Sequence, residues 1–263
     1  MSTLPVVEGG LLQAADLTDD SVAPPGSWRR RAAERLVGTL GSRTEPFPCV
    51  FGVDALRKGG LRFVFVDDAD SDAGAAILAA ALRRFVATFA ALPKRSSMIS
   101  FLDVPASRSV EEYQDVFWRT LARLHRQDDA GWPAGIATDP DDPWWEFSFA
   151  GMPMFVVCAT AAHTARRSRA ADAMMITFQP RPVFDGLEPT TRAGRQARVV
   201  VRGRLATYDA VPAHPALGSF GDPDSREWRQ YFLSDGADPG PARCPLDTTR
   251  ASRPAPEERG DRP

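Results

Sequence analysis

Residues 61–102 read LRFVFVDDADSDAGAAILAAALRRFVATFAALPKRSSMISFL, a run in which the hydrophobic period changes twice. The segment Leu61–Val66 is short, apolar and aromatic, which is typical of a buried strand. Over 72–92 apolar side chains recur at every fourth position, which predicts an amphipathic helix that ends at Pro93. The apolar run 98–102 is a second predicted strand, so strand, helix and strand follow one another.

The flanking sequence adds elements of both kinds. Helical spacing predicts helices over 28–40, 109–126 and 192–208, and the second of these begins at a capping box formed by Ser109 and Glu112. Further strands are predicted over 145–149, 154–159 and 174–179, and the dipeptide Ala150-Gly151 joins the first two as a hairpin.

Strands and helices alternate at first and then give way to this hairpin, which favours an α/β (α+β) fold in which helices pack on a mixed β-sheet. We expect a single domain over 26–241. The segment 1–25 is expected to be weakly ordered. The tail 242–263 combines prolines and charges with few large apolar groups, so it is expected to be disordered.

The composition excludes several classes of function. A formal net charge of −2 gives no electrostatic reason to expect nucleic acid or an anionic membrane as a partner. No apolar run approaches the roughly 20 residues needed to span a bilayer, and the first 20 residues carry acidic side chains without Lys or Arg, unlike a signal peptide. The interpretation is a cytoplasmic protein, for which a homodimer is plausible.

Three cysteines and three histidines are too few and too scattered for a disulfide framework or a clustered zinc site. A metal would receive one or two protein ligands at most. Haem fits this small number of protein ligands, because its porphyrin supplies most of the ligands of the iron. A protein with no metal fits it equally well. Cys49, flanked by apolar residues, is interpreted as a buried structural thiol.

The densest polar cluster is CATAAHTARRSR at 158–169, directly after a predicted strand. His163 there could ligate iron through one ring nitrogen, and Arg166, Arg167 and Arg169 could bind carboxylates or phosphates through their guanidinium groups. The alternative is a solvated basic turn beside a histidine that is hydrogen-bonded to the backbone. His214 lies in a proline-flanked loop, where it is either a ligand or a plain loop histidine.

The segment DPDDPWWEF at 139–147 combines carboxylates with two indoles. Asp141, Asp142 and Glu146 could pair with a guanidinium group, on which Trp144 or Trp145 could stack. The alternative is a turn that enters a strand, with the tryptophans in the core.

An ordered set of short blocks resembles the YqcI/YcgG family over residues 45–246. The blocks are FPCVFG (47–52), LRF (61–63), WEF (145–147), CATAAH (158–163), RRSR (166–169), FQPR (178–181), EWRQYF (227–232) and CP (244–245). The resemblance implies a haem-dependent monooxygenase that converts L-arginine, or a related guanidine, to the N-omega-hydroxy compound in antibiotic biosynthesis of the D-cycloserine type.

The resemblance also implies the site. His163 becomes the proximal ligand of the iron of haem b, ahead of His214 and of the Cys158 thiolate, and the arginines that follow His163 neutralise the propionates. Glu146 and Trp145 are assigned to the catalytic centre.

The same resemblance supplies the other partners. It implies that dioxygen or peroxide, with an electron donor, completes the reaction, and under this hypothesis Asp141, Asp142, Glu146 and Trp144 are the candidate substrate-binding residues. Two other hypotheses stay open: a non-catalytic haem-binding or haem-sensing protein, and a metal-free module that binds an anion at the arginine cluster.

Overall fold

A computed structural model describes residues 10–104 and 108–246. Within these residues the chain forms five α-helices and five strands. The helices are α1 (Trp28–Gly41), α2 (Val50–Arg57), α3 (Asp72–Thr88), α4 (Val110–Gln127) and α5 (Arg192–Tyr208), and the strands are β1 (Leu61–Val66), β2 (Ser97–Leu102), β3 (Ser148–Phe149), β4 (Met152–Ala159) and β5 (Met174–Pro180).

The strands form one sheet in the order β1-β2-β5-β4-β3. β1 and β2 are parallel, because α3 carries the chain back between them, and every other neighbouring pair is antiparallel. The prediction of a single α+β domain with a mixed sheet is therefore confirmed. The predicted strand over 145–149 is shorter than expected: β3 begins at Ser148, and the hairpin turn places Ala150 at a φ of 51°.

α3 and α4 cover one face of the sheet. The predicted capping box starts α4: the Ser109 hydroxyl accepts from the Glu112 N–H at 3.2 Å, and the Glu112 carboxylate accepts from the Ser109 N–H at 2.7 Å. Leu82, Phe117 and Leu121 are fully buried between the two helices and the strands. This face carries the larger core.

The expectation that no apolar run approaches the length of a membrane span is wrong. Residues Asp72–Ala91 have a mean hydropathy of 1.5 and are long and apolar enough to cross a bilayer. In the structure Leu78, Leu82 and Phe85 of this stretch are fully buried in the core, and α3 packs on α4 and β1. Its apolar face is thus used as the core face of a helix in a globular fold.

The opposite face is covered in part by α1 and α2. Leu36 and Leu40 of α1 pack with Phe63 and Phe101 of the sheet. α2 was not predicted, because it has eight residues and includes a glycine, which is too short for a helical period to be recognised.

Where the structure describes the two terminal segments they are packed on the domain, whereas the sequence predicted weak order at the start and disorder at the end. Leu17 and Ala23 are fully buried, and Leu12 pairs with Phe63 at the edge of β1. Leu246 is also buried, in the larger core. Residues 10–25 and 242–246 therefore pack on the domain, whereas 1–9 and 247–263 lie outside the described residues.

Candidate functional site: a cavity between the sheet and α5

The second face of the sheet has a floor of side chains that no helix covers closely. Phe155 and Val157 of β4 are partly exposed. Each stands opposite a residue of β5, Gln179 and Thr177 respectively. Because opposed residues of an antiparallel pair share a face, these four side chains form one surface.

α5 lies above this floor at a distance. Of its 17 residues Gly194 alone is buried, whereas Val199 exposes 66% of its surface on the far side. A close approach at one end holds the helix: a β-carbon on Gly194 would lie 2.2 Å from the carbonyl oxygens of Leu187 and Glu188. The helix therefore stands over the sheet without filling the space beneath it.

This space is a cavity of about 370 Å³, which lies within the range of about 300–1,000 Å³ of small-molecule sites. Its wall is mainly apolar. It includes Leu61, Ile99, Phe155, Val157 and Met175 from the strands, Phe47, Cys49 and Phe51 from α2 and the loop before it, and Ala197, Arg198, Val201, Arg202 and Leu205 from α5.

Cys49 is the N-cap residue of α2 and part of the cavity wall. Its sulfur accepts a hydrogen bond from the Gly52 N–H at 3.4 Å. Burial raises the pKa of the Cys49 thiol, while the Gly52 N–H and the charge of Arg169 act in the opposite direction. The positive end of a helix thus points at a sulfur atom beside an apolar space.

Arg169 brings a positive charge to the same wall. The residue exposes 8% of its surface, and its guanidinium donates only to the carbonyls of Cys158 and Gln230, at 3.4 and 3.3 Å. Burial lowers the pKa of Arg169 to about 10. Within residues 10–104 and 108–246, no carboxylate forms an ion pair with it. A buried cation of this kind favours an anionic ligand.

Two further arginines, Arg198 and Arg202, belong to the α5 side of the wall, and neither forms an ion pair within the described part of the chain. No aspartate or glutamate is among the described wall residues. The cavity is therefore apolar in its body and cationic at several points. This combination suits a flat apolar molecule that carries carboxylates.

His163, the predicted iron ligand, is buried beside the sheet and uses both ring nitrogens inside the protein. Nδ1 lies 2.8 Å from the Thr160 hydroxyl, and Nε2 lies 2.7 Å from the Leu233 carbonyl oxygen. Burial lowers the pKa of His163, which favours the neutral ring. His163 is not a wall residue of the cavity, and binding iron would require it to give up one of these hydrogen bonds.

The residues around His163 hold the loop that follows β4. The Asp235 carboxylate accepts from three successive main-chain N–H groups at Thr164, Ala165 and Arg166, at 2.8–3.0 Å. The Arg166 side chain donates to the carbonyls of Ser234, Pro212 and Gly236. Arg166 is thus satisfied inside the protein.

The remaining predicted haem residues lie apart from the cavity as well. Arg167 forms a surface ion pair with Glu45 at 2.6 Å. His214 uses both ring nitrogens, one on the Asp238 carbonyl at 3.1 Å and the other on the Ala216 N–H at 3.1 Å. Cys158 is fully buried in the larger core, on the side of the sheet away from the cavity. Of the six predicted cofactor-binding residues, only Arg169 lines the cavity.

The predicted guanidinium-binding residue Glu146 already holds a guanidinium, that of Arg181. Arg181 donates from Nε to Glu146 Oε2 at 2.7 Å, and its Nη2 contacts both Glu146 and Glu227. Burial, and next the charge of Glu227, raise the pKa of Glu146 well above its usual range. Arg181 also packs over the ring of Phe184, a cavity residue, at 5.4 Å.

The other predicted substrate residues lie on the surface or in the core. Asp142 accepts the Trp144 N–H at 2.8 Å in a turn, and Asp141 is exposed. Trp144 exposes 56% of its surface and meets Phe220 edge-on. Trp145 is fully buried next to Tyr231, at 6.3 Å between ring centroids. None of them is in the cavity wall, and their roles stay predictions.

Sequence reasoning did not find the cavity. Its polar residues are scattered along the chain: Arg198 and Arg202 of α5 look like an ordinary solvated face, and the apolar neighbours of Cys49 suggest core packing. One signal was present. The alternate positions Phe155, Val157, Thr177 and Gln179 mix aromatic, aliphatic and polar types where a helix-covered floor is usually uniformly apolar.

Comparison with known proteins identifies a family whose sequence model matches most of the chain. A sequence model of the YqcI/YcgG family matches residues 37–247. "Uncharacterized protein YcgG" of Bacillus subtilis (strain 168) is 41% identical over 223 residues, which cover 83% of this chain and 88% of that protein. "Uncharacterized protein YqcI" of the same organism is 38% identical over 229 residues, covering 86% of this chain and 90% of that protein.

A third relative carries the name of an activity. It is "Putative N(omega)-hydroxy-L-arginine synthase DcsA" of Streptomyces lavendulae, 35% identical over 216 residues that cover 78% of this chain and 79% of that protein. No solved structure matches the chain.

Proposed function

The chain belongs to the YqcI/YcgG family, and on that basis we propose that it is a haem-dependent monooxygenase that hydroxylates a terminal guanidino nitrogen of L-arginine. The product is N-omega-hydroxy-L-arginine, used in the cytoplasm for antibiotic biosynthesis of the D-cycloserine type. The name of the Streptomyces lavendulae relative supports the reaction. The observation that carries the proposal is the cavity of about 370 Å³ between the sheet and α5.

The residues of this cavity fit a haem. A porphyrin has a flat apolar body, which the floor residues Phe155 and Val157 and the α5 residue Val201 would contact. Its two propionates are anions at a buried edge and need cationic partners. Arg169 and Arg198 supply the matching positive charge, and the described wall contains no acidic residue.

When bound, haem supplies the activation of dioxygen or peroxide for transfer of one oxygen atom, and with dioxygen an electron donor is required as well. The chain itself shields the site from bulk water on two sides, where α5 and the strands enclose it. The uncharged polar side chains Thr177 and Gln179 lie on the floor and offer oxygen atoms that accept hydrogen bonds from a guanidinium group.

The carboxylate of an arginine substrate needs a cation, and Arg202 at the α5 side of the wall is one without an ion pair in the described residues. Binding of the guanidinium by Asp141, Asp142 or Glu146 remains a second prediction. For Glu146 it requires exchange of the internal Arg181 guanidinium for that of the substrate, since the two groups make the same bidentate contacts.

The experiment is reconstitution of the full chain with haemin, followed by incubation with L-arginine and either dioxygen with a chemical reductant or hydrogen peroxide. The expected result is a protein with an intense Soret band that forms N-omega-hydroxyarginine, detected by mass spectrometry. A guanidine without a carboxylate is the matched substrate control and should react more slowly. A haem-loaded protein that forms no hydroxyarginine under either condition refutes the oxygenase and leaves a haem-binding protein, and a protein that binds no haem refutes both.

A further inference from the structure

We propose that the sulfur of Cys49 is the axial ligand of the iron of a haem bound in this cavity; this rests on the proposed function and assigns a ligand to it. The sulfur binds as the thiolate, and its proton goes to solvent. The proposal uses one cysteine, the helix that it caps and the buried cation on the same wall.

The described wall offers few donor atoms to an iron. Cys49 and Met175 are its sulfur-containing residues, and no histidine is among them. Cys49 is the stronger candidate, because ferric iron prefers an anionic thiolate to a neutral thioether. The alternative ligand Met175 lies on β5, where its side chain packs with the smaller core of Leu36 and Phe101.

The environment of the Cys49 sulfur suits a thiolate ligand. Cys49 begins α2, and its sulfur accepts the Gly52 N–H at 3.4 Å. A hydrogen bond from the main chain to a ligating thiolate stabilises the negative charge and tunes the metal. Gly52 is itself part of the cavity wall, and a β-carbon there would meet Cys49 Sγ at 3.8 Å and Leu40 at 3.9 Å. The main chain therefore approaches the sulfur closely from one side, while the other side faces the cavity.

Arg169 adds a buried positive charge to the wall that Cys49 also lines. The residue exposes 8% of its surface and lines the cavity, and its guanidinium donates hydrogen bonds to the carbonyl oxygens of Cys158 and Gln230 at 3.4 and 3.3 Å. Within the described residues it has no carboxylate partner. A folded chain tolerates such a charge when a ligand compensates it, so this residue points to an anion in the cavity. A porphyrin with two propionates and an iron-bound thiolate supplies that anion.

The other candidate ligands already make contacts inside the protein. His163 and His214 each use both ring nitrogens in hydrogen bonds within the protein. Cys158 is fully buried in the larger core on the opposite face of the sheet. Each of them would have to break internal contacts to reach a haem, whereas Cys49 is already in the wall. Thiolate ligation also suits the proposed chemistry, since it favours cleavage of the O–O bond.

The test compares the wild-type chain with Cys49→Ser, with Cys244→Ser as the matched control. Serine is a better N-cap residue than cysteine, so Cys49→Ser retains the cap of α2 and changes only the ligand. Cys244 is half-buried and outside the described wall. Each protein is loaded with haemin, and the ferric spectrum, the ferrous carbon monoxide spectrum and the haem affinity are recorded, with circular dichroism as the check on folding.

We expect the wild type and Cys244→Ser to give the red-shifted carbon monoxide Soret band that thiolate ligation produces. Cys49→Ser should lose this band and bind haem roughly tenfold or more weakly, a loss of about 1.4 kcal/mol or more. A folded Cys49→Ser protein with an unchanged spectrum and affinity overturns the ligand assignment but leaves haem binding intact. Loss of the band in His163→Gln, His214→Gln or Met175→Leu instead assigns the ligand elsewhere. A wild type that takes up no haem overturns this inference together with the proposed function.

Discussion

Removal of the Arg181 cation should destabilise the protein far more than neutralisation of one of its partners. Arg181 exposes 24% of its side chain, Glu146 exposes none of its side chain and Glu227 exposes 3%. One guanidinium therefore neutralises two carboxylates inside the fold. The ring of Phe220 also lies 3.8 Å from the guanidinium carbon and holds it from one face.

Arg181→Met keeps most of the length of the side chain and leaves both carboxylates without a counter-charge. Breaking a buried ion pair by removal of one partner costs about 3–5 kcal/mol of unfolding free energy. Because a quarter of the Arg181 side chain reaches solvent, we expect the lower end, about 3 kcal/mol. Glu146→Gln is the matched variant: it keeps the shape and leaves the pair of Arg181 with Glu227, so its cost should be about 1 kcal/mol.

The pH dependence of Arg181→Met follows from the direction of the carboxyl pKa values. Burial already raises the pKa of Glu146 and of Glu227 above the usual range, and Arg181 opposes this rise. Without the cation, both pKa values rise further. A group whose folded pKa is raised favours folding when it is protonated and loses that contribution as the pH rises through the folded pKa. The deficit of Arg181→Met should therefore be larger at pH 8 than at pH 5.

The assay is urea unfolding of the wild type, Arg181→Met and Glu146→Gln, followed by circular dichroism at both pH values. Equal slopes of the transitions are required for the free energies to be compared. A cost below about 1 kcal/mol for Arg181→Met, or a cost that does not change between pH 5 and pH 8, would refute the reasoning.

Three further predictions concern the cavity and its frame. Arg169→Met should stabilise the haem-free protein by about 1–2 kcal/mol in urea unfolding, since an uncompensated buried charge is removed, and should weaken haem binding; a destabilised variant with unchanged haem affinity contradicts this. Burial raises the pKa of Asp235, but bonds from main-chain N–H groups outweigh it and lower the pKa to about 2. Asp235→Asn should therefore cost about 1–2 kcal/mol at pH 7 after allowance for its partial exposure, and acid titration of the wild type should show this contribution intact above pH 4 and lost as the pH falls toward 2; equal stability of the two proteins at pH 7 contradicts it. Gly194→Ala should lower the melting temperature because the added carbon meets two main-chain oxygens at 2.2 Å, whereas Gly203→Ala on the same helix meets nothing within 4 Å and should stabilise by about 0.5–1 kcal/mol; the reverse order would show that α5 is positioned differently.

Local sequence patterns were sufficient for most of the fold. β1 could be recognised because it is a short apolar and aromatic run, and α3 because its four-residue period persists for several turns; the capping box at Ser109 marks the start of α4. The same patterns did not predict α2, because this helix is too short for a helical period to be recognised. They also predicted that Trp145 belongs to a strand, whereas it lies in the core just before β3.

The site was harder to predict because its properties come from contacts between distant segments. Glu146 looks like a free carboxylate in the sequence, and its partner Arg181 lies 35 residues away. His163 and the arginines after it look like a binding cluster, but the carboxylate of Asp235, about 70 residues later, holds their loop. The cavity depends on how far α5 stands from the sheet, a distance that no local pattern contains.

The location of haem in the cavity is tested most directly by filling the cavity from α5. Ala197 lies in its wall, and Val199, two residues further on, exposes 66% of its surface on the outside of the helix. Haemin is titrated into the wild type, Ala197→Trp and Val199→Trp, and the Soret band is followed. We predict that the wild type and Val199→Trp bind haem with the same spectrum and affinity, and that folded Ala197→Trp does not bind it. Equal haem binding by Ala197→Trp and the wild type would show that this cavity is not the haem site.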